Sequence, residues 1–343
     1  MKILVLKRDK IGDLLLATPL LARLKAALPR VETHLLANDY NAWVAVGNPN
    51  VDRVWVYRRV RHGGRIRPGA VLGWFWQKRA LRRERFDWVI VANGDESPRA
   101  IRRGLALGGV RTVARCADVS KYPGLTDPLP RDAASHEVDR LLGLLAPMGI
   151  PLPSQEILPA YKLTEESSAF ALNWLAGRGL APGKYVVLGL GARRPKKQPA
   201  PAQVLAWSAH FKQRWGLDTV FMWTPGESSD PLYPGDDAAA QPLLDAASGG
   251  LAPQIHPFRG PIAEALGLVW GARTNVFPDS GLMHFAAASP GGVLGLFAEP
   301  GVSPAPAQWA PRGAKAAWLE APGSISELPD DRVYAQVERL LSP

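Results

Sequence analysis

Two short stretches hold residues whose types and spacing could do chemistry. The first is KRDKIGDLLLATP, residues 7–19, which follows the apolar run Ile3-Leu4-Val5-Leu6 and leads into a leucine-rich stretch. That pattern predicts strand, tight loop and helix, the place where a nucleotide-binding α/β domain holds phosphate on glycines and bare amides. Here the loop has one glycine, Gly12, and sets Asp13 at the mouth. A carboxylate at that point can take a proton from a hydroxyl, or simply cap the helix. The second stretch is VFPDSGLMHFAAAS, residues 276–289, where a strand ends at Phe277 and Asp279-Ser280-Gly281 turns into a helix. Free amides at such a turn suit an anion, and small Ser280 and Gly281 let a pyrophosphate approach the backbone. Asp279 can accept sugar hydroxyls, and His284 lies one turn inside, facing the same mouth. An ordinary capped helix uses the same residue types.

These residues need a scaffold, and the chain alternates strand and helix patterns. Apolar strand candidates fall at 2–6, 32–36, 53–57, 87–92 and 110–114, followed by an amphipathic helix at 136–148. A polar, Pro-bearing stretch at 151–164 precedes a helix at 165–179, and strands resume at 185–190, 218–223, 274–277 and 293–297. Residues 224–253 read as loops around a short helix, and the last helix as 329–341. Strands separated by helices predict parallel sheets covered on both faces. At 343 residues the chain exceeds one ordinary core, so two similar lobes are expected: 1–160 and 161–343, with the last helix free to pack back on the first lobe.

Composition narrows the class. Hydrophobic residues make up 47% and charged residues 21%, the balance of a soluble globular chain, with no apolar run long enough to span a bilayer. The first residues enter a strand pattern directly, without a separate leader-like apolar segment, so the expected compartment is the cytoplasm. The one cysteine, Cys116, excludes an internal disulfide and any multi-thiolate metal site, and it reads as a small buried residue. Six scattered histidines do not make a metal cluster in sequence, and His136 reads as a structural contact at a helix start. The expectation is no metal and no cofactor.

Charge is informative by position. Residues 1–160 carry 26 Lys/Arg against 15 Asp/Glu and the remainder 15 against 16, so the whole surplus of +10 sits in the first lobe. Its densest part, Arg58 to Arg85, has ten basic residues and one acid, Glu84, and includes Trp74-Phe75-Trp76. A solvated basic face is the plain reading. A surplus confined to one lobe and interleaved with aromatics points further, to an anionic partner.

Dinucleotide binding is testable from the glycines. The G-x-G-x-x-G fingerprint needs all three glycines after a strand. The first lobe has only Gly12, and the second has Gly189-Leu-Gly191 with Arg194 in the third position and Pro195 next. A nicotinamide or flavin oxidoreductase is not expected.

Taken together, IGDLLLATPLLARLKAALP, ARRPKKQP after a strand, and PDSGLMHFAAA resemble glycosyltransferase family nine, the bacterial heptosyltransferases. NPNVDRVWVY at 48–57, FDWVIVANG at 86–94, and FAEPG followed by QWAPRG at 297–313 extend the likeness in order along nearly the whole chain. The resemblance implies an α/β GT-B fold, two facing Rossmann-like lobes with parallel sheets and an interlobe cleft. It implies an inverting, metal-independent transfer of heptose, or a related sugar, from an ADP-sugar to the inner core of lipopolysaccharide. Position by position, it makes Asp13 the catalytic base and gives Asp279, Ser280, Gly281 and His284 to the nucleotide-sugar. Lys196 matches the family's basic residue by spacing to Pro199, and Lys197 matches if the count starts at Gly191, so one of the pair is meant. Glu227 in TPGESSD falls where the family has an acid near the adenosine. Three departures stand out: Gln198 for a tryptophan, Arg193 for a small hydroxyl residue, and Ser289-Pro290-Gly291-Gly292 for a Leu-Gly-x-Pro turn.

An acceptor of this kind is anionic and membrane-borne, which suits the basic first lobe. Lys7, Arg59 and Arg61, near strand ends, would meet its charges. Trp74-Phe75-Trp76 with Lys78, Arg79, Arg82 and Arg83 would lie at the cytoplasmic face of the inner membrane, or else be a lobe helix with core tryptophans. Nucleic acid is not an expected partner. The rival readings are a non-catalytic GT-B-like binder of an anionic glycan and a sugar-nucleotide epimerase.

Overall fold

The computed structural model describes all residues but 60, 63–64, 133, 192–193, 231–234, 302–304 and 343, and only the backbone of 61–62 and 65–66. Arg193, and the side chain of Arg61, therefore lie outside the described residues. The chain divides into two compact units, Met1–Lys162 and Leu163–Pro343.

The first unit holds β1 (Lys2–Leu6), β2 (Glu32–Asn38), β3 (Arg53–Tyr57), the short hairpin β4 (Arg61–His62) and β5 (Arg65–Ile66), β6 (Trp88–Val91), β7 (Arg111–Arg115) and β8 (Asp127–Leu129). Six of these form a parallel sheet in the order β3-β2-β1-β6-β7-β8. Ile3 to Leu6 of β1 are fully buried, as a central strand covered on both faces requires. Its helices are α1 (Ile11–Leu15), α2 (Thr18–Ala27), α3 (Pro68–Arg83), α4 (Pro98–Leu105) and α5 (Glu137–Leu142). The helix expected over 136–148 becomes α5 and a 3₁₀ stretch, Gly143–Met148, that contains Pro147 and ends at Gly149 with φ 73°.

The second unit repeats the plan. Strands β9 (Tyr185–Gly189), β10 (Asp218–Met222), β11 (Ile255–Phe258), β12 (Thr274–Pro278), β13 (Val293–Phe297) and β14 (Ala316–Glu320) form a parallel sheet in the order β11-β10-β9-β12-β13-β14. Its helices are α6 (Glu165–Ala176), α7 (Pro201–Trp215), α8 (Asp237–Ser248), α9 (Ile262–Gly271), α10 (Gly281–Ala287), α11 (Pro306–Trp309) and α12 (Asp330–Leu341). Alternate residues of β9 feed two cores: Val186 and Leu188 pack with Trp207, Phe211 and Val337, while Tyr185 and Val187 pack with Leu268 and Phe277. Gly189 is a required glycine, since a Cβ there would lie 2.1 Å from the Phe277 ring.

The last helix packs on the second unit. Trp207 Nε1 donates to Asp330 at 2.6 Å, Arg214 pairs with Glu338 at 3.1 Å, and Arg273 donates to the Leu341 carbonyl at 3.0 Å. No described helix is long and apolar enough to cross a membrane.

In each sheet the chain first winds outward on one side of a central strand and then returns to its other side. That reversal lies between β1 and β6 in the first unit and between β9 and β12 in the second. Open parallel sheets leave a crevice for ligands at the carboxyl ends of such strands.

Candidate active site

In the first unit, the reversal gathers the loop after β1, the loop after β6 and the start of α5. The loop at 7–10 is held from below by two asparagines. Asn38 donates to the Arg8 carbonyl at 2.5 Å, and Asn41 donates to the Asp9 carbonyl at 3.1 Å. Asn93, after β6, donates to the Asp9 carboxylate at 2.7 Å. Asp13 sits in the first turn of α1, half-buried, and its Oδ2 accepts the Lys10 N–H at 2.8 Å. Lys10 is therefore the N-cap, and Asp13 closes the turn from the third helical position.

Lys7 is not the surface cation that its place at a strand end suggested. Its side chain is 1% exposed, with the ammonium 3.3 Å from Asp9 and 3.7 Å from Glu137. An ammonium so enclosed is committed to its own acids, which removes Lys7 as an acceptor contact. The exposed cation beside Asp13 is Lys10. Burial pushes the Lys7 pKa down, and the carboxylates of Asp9, Glu137 and Asp13 more than offset it, leaving the pKa raised. Glu137 is moved the other way from an ordinary ion pair. Burial raises its pKa, Asp13 adds to the rise, and Lys7, Arg140 and the Gly94 N–H oppose it.

Glu137 is the buried acid that sequence reasoning passed over. A side chain at Gly94 would place Cβ 2.0 Å from the Glu137 carboxylate, and the Gly94 N–H donates to that carboxylate at 3.2 Å. Glycine is thus required there to admit the acid. The pair also yields a stability expectation. Glu137→Gln keeps the shape and leaves the buried Lys7 ammonium with Asp9 as its remaining direct ion pair, so the first unit should lose about 2–4 kcal/mol. Chemical denaturation measures this, and a loss below about 0.5 kcal/mol, typical of a plain surface site, would show the pair to be inert.

In the second unit, three loops meet around β9. After β9, Pro195–Lys197 forms one 3₁₀ turn. Lys197 Nζ reaches the Asp279 carboxylate at 2.6 Å, with side chains 14% and 11% exposed. Lys196, itself exposed, turns away to half-buried Glu299, 3.5 Å distant. The geometry separates the two lysines that spacing could not. Asp279 follows β12, and its N–H donates to the Leu296 carbonyl at 2.9 Å. Ser280 is the N-cap of α10 and makes no side-chain cap bond among the described residues. The Asp279 carboxylate meets Lys197. His284 is buried in α10, with its ring 6.5 Å from that of Trp309.

The loop after β10 carries Glu227, exposed, whose carbonyl accepts the Gly235 N–H at 2.9 Å. A Cβ on Gly235 would lie 2.3 Å from the Gly226 backbone, so the loop closes only with glycine there. Gln198, which departs from the family's tryptophan, donates to Asp236 at 2.6 Å. Burial raises the Asp236 pKa against the bonds from Gln198 and the Thr224 N–H. Gly191 lines the same end of β9, and a Cβ there would meet only Thr224 Oγ1 at 3.5 Å.

Of the proposed acceptor contacts, Arg59 is described. Its Nε lies 3.0 Å from Asp39 Oδ1 and its guanidinium 5.0 Å from the Tyr40 ring centroid. The structure also brings together one cluster that no sequence spacing announced, Glu32, His34 and Glu84, with possible ligand atoms within 4.8 Å of one another. Lys2 reaches two of its members, at 2.8 Å from Glu84 and 3.6 Å from Glu32. The third, His34, accepts the Trp55 N–H on Nδ1 at 3.0 Å. The cluster satisfies itself as an ion-pair network. Cys116 is buried in the first unit's core, where burial raises its thiol pKa.

The profile of Glycosyltransferase family 9 (heptosyltransferase) matches residues 74–320. Among solved structures, the glycosyl transferase family 9 protein from Veillonella parvula is similar at 18% identity and TM-score 0.81, covering 99% of this chain and 97% of that one. E. coli ADP-heptose lps heptosyltransferase II is similar at 20% identity and TM-score 0.76, covering 99% and 98%. E. coli heptosyltransferase WaaC with ADP is similar at 18% identity and TM-score 0.72, covering 99% and 100%. No curated protein sequence gives a significant match. At these identities the structural likeness speaks for the α/β GT-B fold, while the profile spans most of the sequence: the chain belongs to glycosyltransferase family 9 and is a glycosyltransferase.

Proposed function

We propose that the protein transfers heptose, or a related sugar, from an ADP-sugar to the anionic inner core of lipopolysaccharide, inverting the anomeric carbon without a metal ion. The observation that carries this reading is the Lys197–Asp279 pair at the carboxyl ends of β9 and β12, where an open sheet takes its ligand. Lys197 meets the diphosphate, aided by the amides of Ser280 and Gly281. Asp279 takes sugar hydroxyls, Glu227 the ribose side of the nucleoside, and His284 supports the same turn. Gly191 leaves room for the donor beside β9, with Lys196 at the rim. On the acceptor side, Arg59 and Arg61 meet negative charge, and the protein works as a peripheral enzyme at the cytoplasmic face of the inner membrane.

In the step itself, the acceptor oxygen bonds to the anomeric carbon as the carbon–oxygen bond to the diphosphate breaks. The hydroxyl proton passes to Asp13, and ADP leaves with the bonding pair, its charge answered by the Lys197 ammonium. With the donor's phosphates assigned to the second unit, the first unit's turn is free to hold a base.

The test is incubation with ADP- and UDP-sugars, with and without a heptose-deficient core acceptor. ADP release that requires both ADP-heptose and acceptor, and that survives a chelator, is the expected result. Donor consumption without acceptor would make the protein an epimerase or hydrolase. Tight core binding with no turnover would make it a glycan-binding protein.

A further inference from the structure

Helix α3 covers the sheet with one stripe and leaves another bare. Ala70 and Leu81 are buried. Between them, Trp74 stands edge-on to Tyr57 at 5.7 Å, with the Arg103 guanidinium 4.6 Å from its ring centroid. Gln77 donates to the Val56 carbonyl at 2.8 Å. Positions 70, 74, 77 and 81 make one helical face. The opposite face begins with Val71, Leu72, Phe75 and Trp76, which are 48%, 65%, 58% and 65% exposed. It continues with Arg79, Arg82 and Arg83, all exposed. Scattered exposed apolar residues are ordinary, but four adjoining ones on a single helix form a patch. The acid next to this face, Glu84, is already held by Lys2 at 2.8 Å and Arg53 at 3.0 Å.

We propose that this face of α3 docks on an anionic lipid bilayer. Leu72, Phe75 and Trp76 enter the interface, and Arg79, Arg82 and Arg83 meet headgroup phosphates. Aromatic and aliphatic side chains followed by arginines on one helical face suit a charged membrane surface. A second copy of the chain answers this face poorly. An isologous contact repeats the same surface, and this one carries no carboxylate to offer the arginines. The inference rests on the proposed function only in giving a bilayer-borne acceptor its place. Vesicle binding is read without turnover, and transfer to a soluble core oligosaccharide tests the chemistry by itself.

The test is flotation of the full chain with phosphatidylcholine vesicles, either pure or containing about a third phosphatidylglycerol. The wild type should float with the anionic vesicles only and be released by about 1 M salt, which screens charge beyond a few ångströms. The F75S/W76S variant should bind at least tenfold more weakly with unchanged melting, because both side chains are exposed. The R79Q/R82Q/R83Q variant should lose roughly a hundredfold, at about fivefold per arginine charge removed near an anionic surface. Absence of wild-type flotation, or flotation indifferent to both variants, would overturn the proposal. So would a dimer in sedimentation that F75S/W76S dissolves, since a second copy would then cover the face.

Discussion

Replacing Lys197 by methionine should cut transfer by roughly two to three orders of magnitude, the usual loss when one preorganised group facing developing charge is removed. The same change at Lys196 should cost less than about threefold, as expected of an exposed surface pair. The contrast follows from placement. Lys197 lies 2.6 Å from Asp279 with its side chain 14% exposed, while Lys196 is 64% exposed and faces Glu299 at 3.5 Å. An ammonium so enclosed loses little to water, so it acts strongly on a leaving diphosphate. Lys197→Met also strands the Asp279 carboxylate, so stability is measured alongside transfer. K197M/D279N should restore the melting temperature and leave transfer low. Equal losses at Lys196 and Lys197 would show that neither is the specific phosphate contact.

The two lysines also show where the sequence is eloquent and where it is not. Strand candidates built on continuous apolar runs, such as 2–6 and 293–297, match β1 and β13, because buried parallel strands must be apolar on both faces. Besides the short β4–β5 hairpin, the strands not legible in the sequence are β8, β11 and β14, at the edges of the two parallel sheets. Two of them contain proline, Pro128 and Pro257, which an edge tolerates because one side of the strand needs no ladder bond. Helix α8, with Pro242 inside it, was read as a short helix among loops and runs for 12 residues.

At the site, residues adjacent in sequence to a strand end were legible: Asp13 after β1 and Asp279 after β12 both sit at the sheet reversals. Glu137 was not. It lies 43 residues from Gly94 and 130 from Lys7, and only the fold brings the three together. A sequence signal did exist, in an acid that opens the apolar helix at His136-Glu137-Val138 and becomes buried at 4% exposure. Lys7 misled for the related reason that a basic residue at a strand end is usually solvated. Here two carboxylates draw it inward.

The central claim is that Asp13 takes the acceptor proton while the donor is held in the second unit. Asp13→Asn tests it with little disturbance. The amide oxygen can still accept the Lys10 N–H that Asp13 Oδ2 accepts at 2.8 Å, so α1 keeps its closed first turn. Folding should survive and ADP affinity should be unchanged, because every proposed donor contact belongs to the second unit. What asparagine cannot do is receive a proton. The deciding measurement is the single-turnover rate of sugar transfer to a core acceptor, with donor bound at saturation. The account predicts a fall of roughly two to four orders of magnitude in Asp13→Asn, the contribution of a positioned general base. Transfer at the wild-type rate in a folded Asp13→Asn protein, with loss appearing only through unfolding of Asp13→Ala, would contradict it and leave Asp13 a helix residue.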